Sequence, residues 1–278
     1  MYRFAFLMLF ILHFTACTEK VVYDLSGEDI MNPKACADCH PTHFNEWSGS
    51  MHAYASTDPV FLAMNKRGQR ETNGELGDFC VKCHAPLAVA LGKTTDGLNL
   101  ETLPDHLQGV NCYFCHSVDS VEGTHNNPIK LANDNIMRGG VASPMETTAH
   151  ASAYSDLLDG DSLQSSKMCG SCHDIVLPNG THIERTFDEW AHTIYSKEET
   201  QPSLSCTACH FNGTNAVIAD VPGAPQRRHH NHMNPGVDLA LTEFPFRDEQ
   251  RAAVQSALNS SLSTQICVYP DESNTNVV

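Results

Sequence analysis

The sequence predicts a mainly α fold with extensive irregular loop and little β structure. Stretches compatible with a helix are short, and the clearest lie at 58–66, 86–91 and 186–195. Clusters such as Asn73-Gly74 and Pro222-Gly223 interrupt them and are typical of loops. Short helices joined by long loops bring too few apolar side chains together for a conventional core, so another source of apolar volume is expected.

Composition and charge exclude several classes of protein. The 278 residues fit one large domain or two small ones. A hydrophobic share of 41% with 18% charged residues is too apolar for a disordered chain. A mean hydropathy of -0.29 is too polar for a protein with several membrane spans. The net charge of -16 argues against nucleic acid as a partner, because the phosphate backbone is also negative.

The 12 cysteines and 16 histidines are the unusual part of the composition, and most of the cysteines are in a repeat. The pentapeptide C-x-x-C-H occurs five times, with the cysteine pairs Cys36 and Cys39, Cys80 and Cys83, Cys112 and Cys115, Cys169 and Cys172, and Cys206 and Cys209. Two thiols at this spacing can form thioethers with the two vinyl groups of one porphyrin, and the next histidine becomes the proximal iron ligand. The sequence therefore predicts five covalently attached haem c groups and a fold packed around them. The proximal ligands would be His40, His84, His116, His173 and His210.

Other uses of paired cysteines explain this repeat less well. Disulfides within C-x-x-C would close very small loops and would not require a histidine after each pair. Zinc ribbons use cysteine pairs, but a histidine directly after the second cysteine is not their ligand spacing. Five copies also argue against thioredoxin-like redox chemistry, which needs a single pair.

The amino terminus predicts export. Residues 1–16 read as a signal peptide, with a short basic start and an apolar run from Phe4 to Phe14 that is too short to span a bilayer. The next residues, Thr15-Ala16-Cys17, resemble a bacterial lipobox, although Phe14 stands where Leu is usual. Lipidation of Cys17 would anchor the chain to the outer membrane, in the periplasm or at the cell surface. The alternative is an ordinary signal peptide followed by a chance cysteine.

Three further segments are predicted. Residues 17–34 form a polar tether, and residues 35–240 form one domain that holds all five haems. Residues 241–278 form a helix, with Asp248 as its N-cap, and one short strand. Cys267, in that strand, is expected to be either a free thiol or bonded to a partner.

Ten histidines outside the motifs and the signal peptide can supply the second axial ligands, which is twice the number that bis-histidine haems would need. Methionine ligation is an alternative, because the chain has nine methionines. Spacing alone suggests His125 and either His182 or His192. His43 and His106 are expected to have no ligand role, and His229 and His230 are alternatives to His232 or surface residues.

Several segments resemble exported multihaem cytochromes related to the tetrahaem electron carrier of nitrifiers. These segments are Trp47-Ser-Gly-Ser50-Met-His52-Ala53, Gly109-Val110-Asn-Cys112, Pro144-Met-Glu-Thr-Thr-Ala-His150, Cys169-Gly-Ser-Cys172-His173-Asp174, Thr186-Phe-Asp-Glu189-Trp190 and Arg228-His-His-Asn-His232. The resemblance implies that His52, His150 and His232 are distal iron ligands. Larger members of this group continue into a carboxy-terminal β-domain, so residues 241–278 would be its truncated start.

Two functions follow as hypotheses. The first is electron transfer in the bacterial envelope through closely spaced, mainly bis-histidine low-spin haems, without catalytic residues. Its partners would be redox proteins of the envelope or an extracellular acceptor, and the chain would form a homo-oligomer or filament if a histidine of one copy bound a haem of the next. The second is an oxidoreductase acting on a small nitrogen or sulfur compound at one five-coordinate haem. The pentahaem nitrite reductases use a C-x-x-C-K motif, which is absent here.

Overall fold

The computed structural model describes residues 25–265, except residues 26, 146, 200, 212 and 262. The predicted signal peptide, Cys17 and most of the tether lie outside this part of the chain, as do the predicted terminal strand and Cys267. Among the described residues, no helix has both the length and the apolar character needed to cross a membrane.

Regular structure is divided into many short elements. The helices are α1 (Pro33–Ala37), α2 (Pro41–Ser48), α3 (Met51–Tyr54), α4 (Pro59–Glu71), α5 (Val81–His84), α6 (Pro86–Ala90), α7 (Cys112–His116), α8 (Ser165–Gly170), α9 (Thr186–Ala191), α10 (Cys206–His210) and α11 (Arg247–Ser261). The strands are β1 (Val118–Val121), β2 (Ile129–Leu131), β3 (Ile136–Gly139), β4 (Ala151–Tyr154), β5 (Ile175–Val176), β6 (His182–Glu184), β7 (Gly213–Val217) and β8 (Gln226–His230). Three single turns of 3-10 helix lie at Leu100–Thr102, Asp105–Leu107 and Ile194–Ser196.

The strands form four separate two-stranded sheets, and three of these are antiparallel pairs that directly follow a C-x-x-C-H motif. These pairs are β1 with β2, β5 with β6, and β7 with β8. The fourth sheet pairs β3 with β4 in parallel, with Ile136 opposite Ala151. This pairing brings the start of β4, and His150 just before it, beside the segment that follows the third motif.

Local sequence explains where several helices begin. The Asp58 side chain accepts a hydrogen bond from the Val60 backbone N–H and caps α4, which extends to Glu71, beyond the predicted stretch 58–66. Asn111 and Ser205, each directly before a motif, cap α7 and α10 in the same way. The last helix begins two residues earlier than an N-cap at Asp248 would give. It begins at Arg247, so Asp248 lies in its first turn and not at its N-cap.

The buried apolar side chains lie mainly in the first half of the described chain. The cluster that includes Phe61, Leu87 and Phe114 packs α4, α6 and α7 together. Beyond Val118, the buried hydrophobic residues in the described part are Met233, Ala240 and Val254. The region that contains the fourth and fifth motifs therefore has little side-chain core of its own.

Candidate haem sites

In each C-x-x-C-H motif, the Nδ1 atom of the histidine already has a hydrogen-bond partner. The acceptors are the carbonyl oxygens of Ile218 for His40 (2.7 Å), Ala55 for His84 (2.9 Å), Arg138 for His116 and Pro235 for His210 (3.0 Å), and the Glu184 carboxylate for His173 (3.3 Å). Because these oxygens only accept, Nδ1 carries the proton and Nε2 keeps its lone pair for a metal. All five histidines therefore fit the role of a haem ligand held by an outer hydrogen bond.

Three motif histidines each face a second histidine across a similar distance. The ring centroids of His40 and His150 are 6.3 Å apart, those of His52 and His173 are 6.2 Å apart, and those of His116 and His232 are 6.5 Å apart. Two imidazoles bound on opposite sides of one metal ion, each at about 2.0 Å, would have centroids about 6 Å apart. The three second histidines are those that the resemblance identified as distal ligands.

Burial keeps two of these second histidines neutral. Desolvation, followed by the nearby His173, lowers the pKa of His52 to about 4. Desolvation, followed by the nearby His116, lowers the pKa of His232 to about 3. In both cases, the largest effect of a neighbouring charge on the pKa comes from the motif histidine that the ring faces. Neutral imidazole is the form that binds a metal.

An amide oxygen without a hydrogen-bond partner also supports a metal-ligand role for His52. The side-chain nitrogen of Asn234 lies 2.7 Å from His52 Nδ1, while the buried Asn234 Oδ1 has no hydrogen-bond partner. Rotating this amide by half a turn would let Nδ1 donate to Oδ1. That arrangement satisfies both groups and leaves the Nε2 atom of His52 for iron.

The segments that carry the resemblance contact one another around His52. Ser50 caps α3, on which His52 lies, and the Trp47 indole donates to the Val110 carbonyl at 2.8 Å. The Val110 backbone N–H donates to the His52 carbonyl at 2.8 Å, and the Gly109 N–H donates to the buried Ser56 hydroxyl. The segments 47–53 and 109–112 therefore contact each other and together hold His52 in position.

The histidines suggested by spacing alone lie elsewhere. His125, His182 and His192 are exposed. His192 Nδ1 bonds the Asp188 carbonyl within its own helix at 2.7 Å. Within the described part of the chain, none of the three has a ring contact with a motif histidine. His84 and His210 therefore have no facing histidine among the described residues, and the ring stacked on His84 is Phe61, at 4.0 Å.

Thiols of different motifs lie next to one another. Hydrogen-bonding contacts join three pairs, which are Cys36 with Cys112, Cys83 with Cys172, and Cys169 with Cys206. Each pair joins two motifs that are far apart in sequence. The loop between β1 and β2 also connects the second motif to the fourth. The Asn127 side-chain amide donates to the Lys82 carbonyl, and its backbone N–H donates to the Ser171 carbonyl.

Sequence reasoning missed a cluster beside the pair formed by His116 and His232. His43, which was expected to have no ligand role, contacts both His229 and His232, with ring centroids 4.3 and 4.8 Å apart. The carboxylate of Glu46 is buried among these rings. The only sequence signal is the three-residue spacing of His43 and Glu46 on α2, which places both on one face of the helix.

Comparison with known proteins is consistent with these sites. Residues 35–117, which include the first three motifs, match the family model described as cytochrome c554 and c-prime. No curated protein and no solved structure matches the chain. The family match supports a c-type cytochrome with covalently bound haem c that takes part in electron transfer.

Proposed function

We propose that this protein is a pentahaem c-type cytochrome that carries electrons through closely spaced, mainly bis-histidine haems. The observation that carries the proposal is the set of three histidine pairs with ring centroids 6.2 to 6.5 Å apart. Haem c would supply the one-electron chemistry, and two histidine ligands favour low-spin iron and a low potential. The protein contributes the ligands, their outer hydrogen bonds and the spacing of the motifs.

The thiol contacts support an order for the proposed haem sites. Cys36 beside Cys112 places the first motif next to the third, and Cys169 beside Cys206 places the fourth next to the fifth. The pKa of Cys169 is raised mainly by the contact with Cys206 and by burial, and Cys115 is close enough to add to the effect, which supports a link from the third motif to the fourth. The main route would therefore run through motifs one, three, four and five, with motif two beside motif four.

The distribution of buried side chains also favours bound porphyrins. Most buried apolar residues lie before residue 119, whereas the last two motifs, with His173 and His210, and the loops around them have few buried apolar side chains. Five porphyrins in contact would provide the missing apolar surface. Folding of the second half would then depend on haem attachment, as small metal-binding domains depend on their metal.

Location and partners belong to the same proposal. Lipidation of Cys17 would anchor an exported protein, in the periplasm or at the outer membrane, and export agrees with haem attachment outside the cytoplasm. The net charge of -16 favours a basic redox protein of the envelope, or a metal-ion or mineral acceptor outside the cell. The exposed His125, His182 and His192 are available to ligate a haem of a second copy in a homo-oligomer or filament.

A spin-state count on the matured protein tests the proposal. Mass spectrometry should find five haem c groups, and EPR of the oxidised protein should show low-spin iron for most of them. Those haems should not bind carbon monoxide after reduction, because both axial positions are occupied. A majority of high-spin, carbon monoxide-binding haems would contradict the proposal.

The surroundings of His84 favour an oxidoreductase as the second candidate function. Its ring stacks on Phe61, and no facing histidine contacts it in the described part of the chain. Haem bound to Cys80 and Cys83 would then have an open sixth position for a small nitrogen or sulfur compound. One high-spin, carbon monoxide-binding haem that disappears when Cys80 and Cys83 are replaced with alanine would favour this candidate.

The carboxylate behind His173 should lower the potential of the fourth haem. Glu184 accepts a hydrogen bond from His173 Nδ1, which raises the pKa of the imidazole and makes it a stronger donor to iron. In the Glu184→Gln variant, we expect the potential of one haem to rise by about 60 mV, a tenfold change in the relative stability of its two oxidation states. Redox titration followed by visible spectroscopy measures this shift.

The control for this experiment is Glu71→Gln. Glu71 is exposed and paired with Arg70 at the end of α4, so removing its charge should leave every potential nearly unchanged. Equal shifts in the two variants would mean that the effect comes from overall charge and not from the hydrogen bond to His173.

A further inference from the structure

We propose that His43, Glu46 and His229 form a binding site for a divalent transition-metal ion that is separate from the haem irons. His43 and Glu46 lie one turn apart on α2, and His229 lies on β8. Two imidazoles and one carboxylate are a donor set that suits zinc, iron, nickel or copper. The site lies against the ring of His232, which the proposed function assigns to a haem.

The positions of the donor atoms agree with a shared metal. The Nε2 atom of His229 is 3.2 Å from the Glu46 Oε2 atom. Two ligand atoms at about 2.0 to 2.1 Å from one tetrahedral metal would be about 3.4 Å apart. Ligand atoms of His43 and His229 lie within 4.8 Å of each other, so a small rotation of the rings would bring the third donor into place.

In this cluster one buried nitrogen atom has no hydrogen-bond partner, and one buried carboxylate is only partly compensated. The buried His229 Nε2 has no hydrogen-bond partner, because Glu46 Oε2 lies near it without the alignment of a hydrogen bond. Glu46 is only 6% exposed, and its partners among the described residues are the side chains of His229 and His232 and the backbone N–H of His232, without a lysine or arginine. A buried carboxylate is costly unless a cation or hydrogen bonds compensate it, and a metal ion would satisfy both groups.

His232 is not needed as a ligand of this second metal. Its Nδ1 atom is 2.7 Å from the His230 carbonyl, and its backbone N–H donates to Glu46 Oε2 at 2.9 Å. This leaves its Nε2 atom for the proposed haem iron, and its ring centroid lies 6.5 Å from that of His116. The carboxylate of Glu46 therefore links the proposed metal site to the segment that holds the proposed haem ligand.

Zinc binding to the matured holoprotein tests this site. After equilibrium dialysis against micromolar Zn²⁺, elemental analysis should find one tightly bound zinc in addition to the haem irons. Glu46→Gln and His229→Gln should each weaken this binding by more than about 100-fold, because the loss of an outer-shell group already costs about 10- to 100-fold. Glu189→Gln and His106→Gln are the controls, because both side chains lie outside the cluster, and they should leave the zinc content unchanged.

Haem spectra separate this proposal from the proposed function. The Glu46→Gln and His229→Gln variants should keep the low-spin spectrum of the wild type, which also shows that they fold. The absence of tight zinc binding in the wild type would overturn the metal site and leave the haem assignments intact. A change to high-spin iron in His229→Gln would also overturn it, because His229 would then be a haem ligand.

Discussion

Replacing His52 with alanine is expected to convert one low-spin haem of the mature protein into a high-spin haem that binds carbon monoxide. His52 lies on α3, faces His173 with ring centroids 6.2 Å apart, and contacts the side chain of Asn234. Without the imidazole, the iron that His173 is proposed to bind would lose its sixth ligand. The potential of that haem should also rise, because an imidazole that favours ferric iron is gone.

EPR of the oxidised variant and carbon monoxide titration of the reduced variant measure this change. The matched control is His106→Ala, because His106 has no contact with a motif histidine ring among the described residues. His52→Gly with added imidazole tests whether the effect comes from the ligand itself, since the free base should restore the low-spin signal. An unchanged spectrum in His52→Ala would refute the pairing of His52 with His173.

Gly109→Ala is expected to destabilise the protein by about 2 to 5 kcal/mol, through both its backbone angle and a steric clash. Gly109 has a φ of +64°, and a Cβ there would lie 2.4 Å from the Ala53 carbonyl oxygen and 2.8 Å from that of His52. Relief of this clash would push α3 away and would break the hydrogen bond from Val110 to the His52 carbonyl. A fraction of the molecules should therefore also lose the low-spin signal of the haem that His52 is proposed to ligate.

Gly74→Ala separates the two causes of this effect. Gly74 has a φ of +84°, but a Cβ there would meet nothing within 4 Å. This control should cost only about 1 kcal/mol, from the left-handed backbone alone. Denaturation midpoints in guanidinium chloride, followed by haem absorbance, compare the two variants. Equal midpoints would show that the close approach of Gly109 to α3 has no energetic importance.

The repeat of C-x-x-C-H made the proximal half of each candidate site predictable. Covalent attachment needs two thiols and a histidine at a fixed local spacing, so the sequence alone contains the whole signal. The helix caps at Asp58, Asn111 and Ser205 also act between neighbours in sequence, so their signal is local as well.

Spacing could not predict the facing histidines, because the two histidines of a pair come from distant segments. His40 and His150 are separated by more than 100 residues and meet through the parallel pairing of β3 with β4. Resemblance to known motifs identified His52, His150 and His232, whereas spacing favoured residues that the fold places on the surface. The contacts that decide these positions are hydrogen bonds to backbone carbonyls, which leave little trace in the sequence.

The sequence by itself determined the signal for covalent haem attachment and the acidic net charge, and it predicts export. Only the tertiary structure decided which motifs are neighbours, which imidazoles face one another, and that His43 and Glu46 both lie beside His229. The physical reason is the range of the interactions. Thioether formation and helix capping act between residues close in sequence, whereas iron ligation, haem contact and the second metal site depend on segments that only folding brings together.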